Sequence, residues 1–116
     1  MPRRDDNAYL SDMLTNAHHV RAFIEGRSQQ EFLSDAFFQY AVLHAVQLIG
    51  EASRMVSKAR KQSLPEVPWS KIEGQRHRVV HDYLALDPLV IWRVATVHVP
   101  VLTEQLEKIV PPPPHC

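Results

Sequence analysis

Residues Ser28 to Leu64 read SQQEFLSDAFFQYAVLHAVQLIGEASRMVSKARKQSL, and the reading of this stretch settles the fold. It contains no proline and one internal glycine, Gly50, so little in it forces the backbone off a helix. Ser28-Gln29-Gln30-Glu31 has the pattern of a capping box, in which the serine and the glutamate each satisfy an orphan amide at a helix start. Phe32, Ala36, Phe37, Tyr40, Ala41, His44, Leu48, Ala52 and Met55 then fall along one side. Phe38, Leu43, Val46 and Ile49 widen that face well beyond a single stripe. The expectation is one long helix with room for a bend, buried on more than one side. The second surface would serve either a central position in the fold or a dimer interface.

Working outward, the segment from Asp5 to Gly26 is a second helical pattern. Tyr9, Leu10, Met13, Leu14, Ala17, Val20 and Ile24 form its apolar stripe, and Gly26 is a stop signal. Downstream, SLPEVPW brackets a short extended connection with two prolines. A third helix is expected from Ile72 to about Ala85. Asp87-Pro88 reads as an N-cap followed by proline in the first turn. The fourth helix runs through Leu89, Trp92, Val94, Val97, Val101, Leu102 and Leu106, with a kink expected at Pro100. With three glycines and no sustained alternation, the chain is expected to be all-α, a bundle of four to five helices.

At 116 residues the chain is one domain, expected over 1–110, with a Pro-rich extended tail at 111–116. Thirteen basic and thirteen acidic residues cancel, which weighs against broad, non-specific polyanion binding but leaves room for a local cationic cleft. The single cysteine, Cys116, rules out an intramolecular disulfide and fits a reducing, cytoplasmic setting. The N-terminal stretch MPRRDDNAYL has no apolar core like that of a signal peptide, and no run approaches a membrane span.

The chemistry is concentrated in GQRHRVVHDY, Gly74 to Tyr83. At about 100° per residue, Arg76 and Tyr83 share one side, His77 and His81 share the neighbouring sector, and Val79 points with Ile72 and Leu86 to the core. A solvated helix face carrying an Arg78–Asp82 pair is the commoner reading of such a pattern. A metal site would use His77 and His81, but Arg78 stands where the H-E-x-x-H glutamate would be. No third ligand is near, and Arg76 and Arg78 would repel a cation. A catalytic reading needs only an imidazole to move a proton at a ribose hydroxyl and a guanidinium to hold the phosphate. Two copies facing each other across a dimer would double both groups.

The chain resembles the HepT family of HEPN-superfamily toxins. Arg76, His81 and Tyr83 match the family's R-x-x-x-x-H-x-Y motif; Pro68-Trp69 and Ile72 precede it, and Asp87 and Ile91-Trp92 follow. Upstream, EGRSQQEF and IGEA (Ile49 to Ala52) are similar to the second-helix entry and signature. The resemblance implies an all-α HEPN-type homodimer whose motifs line a shared cleft. It implies a metal-independent endoribonuclease toxin of a type VII toxin–antitoxin system, with RNA as substrate and no cofactor of its own. By that resemblance Arg76 and His81 are catalytic. Tyr83 is the tyrosine that a cognate MntA-type nucleotidyltransferase antitoxin modifies with AMP, using ATP and magnesium. His77 stands where the family usually has asparagine, and it still offers a hydrogen bond. Glu51, in the second-helix signature, either orients Arg76 or lies exposed. His18, His19, His44 and His98 read as helix-face or packing histidines. The competing function is a non-catalytic helical module that only binds a nucleotidyltransferase.

Overall fold

The computed structural model describes residues 4–74 and 87–110, and every described element is helical. In chain order these are α1 (Asp6–Ile24), α2 (Gln29–Ser34), α3 (Ala36–Met55), α4 (Lys58–Ser63), the helical turns α5 over 69–74, α6 (Pro88–Arg93), a wide turn Val94–His98, and α7 (Val99–Ile109). The expected all-α class holds.

Helix α1 begins where Asp5 Oδ1 accepts from the Ala8 amide at 2.9 Å. It ends at Gly26, whose φ of 71° is a left-handed conformation that side chains disfavour. Its stripe is buried as the spacing predicts: Leu10, Met13, Ala17 and Val20 are fully enclosed, with Leu14 and Ile24 packed at the margin. The capping box at Ser28 forms in both directions, with the Glu31 amide 3.1 Å from Ser28 Oγ and the Ser28 amide 3.2 Å from Glu31 Oε1.

The single long helix expected from Ser28 to Leu64 is instead three. Asp35 ends α2 and caps α3, its Oδ1 accepting from the Phe38 amide at 3.1 Å. Val56 ends α3 in extended backbone, and Ser57 Oγ accepts from the Arg60 amide at 3.2 Å to start α4. Both breaks use a short polar side chain that competes with the helical ladder for backbone amides. Further contacts hold them in place. Gln39 Nε2 donates to the Phe32 carbonyl at 2.9 Å across the first break. Asp6 of α1 accepts from the Ser57 amide at 2.8 Å and from Ser57 Oγ at 2.6 Å across the second.

Helix α1 packs most extensively on α3 and next on α7. The α3 side facing this core is Phe38, Val42, Ala45, Val46, Ile49, Ala52 and Ser53. Most of the stripe expected to lead the burial therefore points outward, and Phe37 and Tyr40 are 86% and 61% exposed. His44, Gln47, Glu51 and Arg54 share the outer side, and α1, α2 and α6 pack on α3. At one end Phe32, Phe38 and Trp92 form an aromatic cluster, with centroids 5.0 Å apart for Phe32–Phe38 and 5.2 Å for Phe32–Trp92. The Arg27 guanidinium covers Phe38 at 4.2 Å and bonds Glu31 at 2.8 Å.

Residues 88–109 run as one helical rod with a widened middle. The Val99 amide bonds the Val94 carbonyl five residues back, a π-type turn just before Pro100. Proline has no amide to donate, and its ring would press on the carbonyl four residues back, so a widened turn relieves both problems. The kink expected at Pro100 takes this form.

Candidate active site

The approach to the motif is anchored at several points. Val67 is buried, and Gln105 Nε2 of α7 donates to the Glu66 carbonyl at 2.8 Å. Trp69 Nε1 donates to the Leu64 carbonyl at 3.0 Å, folding the Pro-Trp entry back on the end of α4. Lys61 joins α4 to α5, with Nζ 2.6 Å from Glu73 Oε1 and 5.7 Å from the Trp69 ring centroid. On the far side, Asp87 Oδ1 accepts from the Leu89 amide at 2.9 Å to cap α6, with Pro88 in its first turn. Ile91 is buried, and Trp92 joins the aromatic cluster. Flanking residues singled out in the sequence, Trp69 before the motif and Asp87 and Ile91-Trp92 after it, are thus themselves held in the described fold.

Arg76, His77, His81 and Tyr83 lie outside the described residues, as do the Arg78–Asp82 spacing and most of the expected third helix. Glu51 is described. It is exposed on the outer face of α3, and its Oε1 accepts from Gln47 Nε2 at 3.3 Å.

Beside Gly74, two residues before Arg76, is a cavity of about 470 Å³. Val46 and Ile49 of α3, Ile72 of α5, and Val94, Val99 and Leu102 supply apolar walls; Lys71 and His98 are its titratable lining residues. Neither residue stood out in the sequence as a site member. The only available signal was position: Lys71 lies five residues before Arg76, and His98 precedes the Val-Pro pair of the wide turn. The other described histidines behave as helix-face groups. His18 Nε2 is 3.0 Å from Glu107 Oε1, His19 stacks on Phe23 with centroids 6.2 Å apart, and His44 is exposed on α3. Among the described residues, no three His, Cys, Asp or Glu side chains form a metal-binding group, and no helix is long and apolar enough to cross a membrane.

Two electrostatic perturbations are resolved on this scaffold. The Arg27 guanidinium, together with the Ser28 amide, holds the Glu31 carboxyl below the usual range. The hydrogen bond from Arg4 to Asp12 raises the Arg4 guanidinium further above its already high value.

The described helices form an all-α fold of the HEPN type. The family model "Ribonuclease HepT-like" matches residues 13–109, and the chain belongs to that family. It is 33% identical over 107 residues to "Putative RNase MJ1380" of Methanocaldococcus jannaschii, an alignment covering 92% of this chain and 98% of the relative. "Putative RNase MJ0125" of the same organism is 30% identical, with 95% of each chain covered. "Probable ribonuclease HepT" of Thermococcus cleftensis is 30% identical, covering 92% of this chain and 97% of the relative. No solved structure matches.

Proposed function

We propose that this chain is a metal-independent endoribonuclease toxin of a type VII toxin–antitoxin system, acting as a homodimer in the cytoplasm. The observation that carries the proposal is family membership together with the R-x-x-x-x-H-x-Y spacing at Arg76, His81 and Tyr83. The whole-length match to relatives named as RNases supports the same class of substrate.

In this reading His81 accepts the proton of a ribose 2′-hydroxyl. The freed oxygen attacks the adjacent phosphorus, and the bond to the 5′-oxygen breaks. The leaving oxygen takes a proton from an imidazolium, and the products are a 2′,3′-cyclic phosphate and a 5′-hydroxyl. Arg76 binds the phosphate oxygens and stabilises the charge that builds on them, a role suited to a planar, permanently charged donor. A single Arg/His pair is sparse for both proton transfers, so two copies sharing one cleft supply the base and the acid. His77 contributes a hydrogen bond at the cleft. The catalytic domain spans 1–110, and 111–116 is a tail.

Tyr83 is the regulatory position. A nucleotidyltransferase partner attaches AMP from ATP to its phenolic oxygen, releasing pyrophosphate. The bulky anionic adenylate then competes with RNA phosphate for Arg76.

Cleavage of RNA by the wild type and by His81→Ala, both in the presence of a chelator, tests the proposal. Wild type is expected to cut and the variant to be inert. A strict requirement for divalent metal, or full activity in His81→Ala, would overturn it.

A further inference from the structure

We infer that Arg54, Lys58 and Arg60, at the junction of α3 and α4, form a phosphate-binding ridge that carries the backbone of the RNA strand beyond the bond that is cut. The inference rests on the nuclease reading and adds which surface of the protein holds the substrate.

The whole chain is neutral, but its charge is not spread evenly. Seven of its thirteen Arg and Lys residues fall between Arg54 and Arg78, against two carboxylates, Glu66 and Glu73. From Ala52 to Pro65 there are four cations and no Asp or Glu. Arg54 lies exposed in the last turn of α3, and Lys58 is exposed at the start of α4. Arg60 is half-buried, and its Nε is enclosed without an acceptor. Packing rather than a carboxylate therefore holds that guanidinium.

The carboxylates around the ridge are engaged elsewhere. Asp6 accepts twice from Ser57, Glu51 accepts from Gln47 at 3.3 Å, and Glu73 takes Lys61 at 2.6 Å. Arg4, Arg27 and Lys61 have carboxylate partners, whereas Arg54, Lys58 and Arg60 have none among the described residues. Three like charges within seven residues repel one another, and a polyanion relieves that repulsion where no internal partner does. A guanidinium can take a phosphate through two parallel bonds, and an ammonium adds a point charge.

Two contacts fix the ridge relative to the rest of the protein. Ser57 ties the start of α4 to Asp6 of α1, and Lys61 ties its end to Glu73 of α5. Cations on an anchored element lose little freedom when a strand binds. Arg76 follows Glu73 by three residues, at most about 11 Å of chain. Phosphates next to one held at Arg76 therefore come within reach of α4. Such contacts grip backbone rather than bases, so they set affinity and leave sequence choice to the motif.

The test measures binding of a fluorescent single-stranded RNA of about sixteen nucleotides across a salt series. The full chain carries His81→Ala so that the probe stays uncut. Adding Arg54→Gln, Lys58→Gln and Arg60→Gln together is expected to weaken binding about tenfold near about 0.1 M salt. The slope of log affinity against log salt should become shallower by about 2. Arg54→Gln with Lys58→Gln, both exposed and without internal partners to lose, should make it shallower by about 1.4. Removing equal charge elsewhere, with Arg21→Gln, Arg93→Gln and Lys108→Gln, should change little. Equal losses in the two triple variants would overturn the ridge. So would unchanged RNA binding with loss of a nucleotidyltransferase partner, which would make the surface a protein-docking face. With His81 restored, the ridge variant should cut a dinucleotide, which has one phosphate, at the wild-type rate. Its KM on long RNA should rise about tenfold. Absence of cleavage by the wild type would remove the nuclease reading, and the binding series would still decide the ridge.

Discussion

Asp6 and Ser57 are joined by two hydrogen bonds, from the Ser57 amide to Oδ1 at 2.8 Å and from Ser57 Oγ to Oδ2 at 2.6 Å. Ser57 Oγ also accepts from the Arg60 amide, so one hydroxyl ends the α3–α4 junction and ties it to the start of α1. Replacing Ser57 with alanine removes a cap and a charge-assisted bond together. The expected loss is about 1–3 kcal/mol in denaturant unfolding. Thr at this position, which keeps the hydroxyl, should restore most of it.

The aromatic end of the bundle is more sensitive. Phe32 is fully buried and contacts both Phe38 and Trp92. Phe32→Ala should cost about 3–5 kcal/mol by opening a cavity among rings that cannot collapse freely. Trp92 anchors the segment after the motif, so RNA cleavage measured on the still-folded fraction should also fall.

Ser53 points the other way. It is fully buried on α3, and its Oγ has no hydrogen-bond partner among the described residues. A buried hydroxyl without a partner is a liability, so Ser53→Ala is expected to leave the melting temperature unchanged or to raise stability by about 1 kcal/mol. A marked loss would show that the hydroxyl is satisfied.

The capping box gives a pH dependence whose sign follows from Glu31. Its carboxyl is held below the usual value, first by Arg27 and then by the Ser28 amide. A lowered folded-state value means the contribution is complete above the ordinary carboxylate range and is lost as pH falls through the folded value. Urea unfolding of the wild type against Glu31→Gln should show a difference near neutral pH that shrinks in acid.

For the regulatory tyrosine, co-expression with a cognate nucleotidyltransferase should add AMP to the intact mass of the wild type and not of Tyr83→Phe. An unchanged wild-type mass would remove the AMP claim and leave the nuclease claim standing. Arg76→Ala should abolish growth arrest in the absence of the partner.

The sequence by itself determined the helical class, because apolar residues recur at helical spacing and prolines and glycine punctuate the segments. It also located the caps at Ser28 and Asp87, since a short polar side chain before an apolar run acts on backbone within three residues of itself. The motif spacing and its flanks were legible for the same reason: they are local. Tertiary structure decided which aromatic residues of α3 go inside. Gln47, Glu51 and Arg54 mark the outer side of its later turns along the chain, but Phe37, Phe38 and Tyr40 at its start carry no such mark, and α1, α2 and Trp92 enclose Phe38 and Val42 rather than Phe37 and Tyr40. The breaks at Asp35 and Ser57 belong there too. Either residue could have stayed within a helix, and contacts from Gln39 and from Asp6, fifty-one residues away in sequence, hold the caps in use. Caps are short-range and can be read along the chain, whereas a buried face is settled by whatever packs against it.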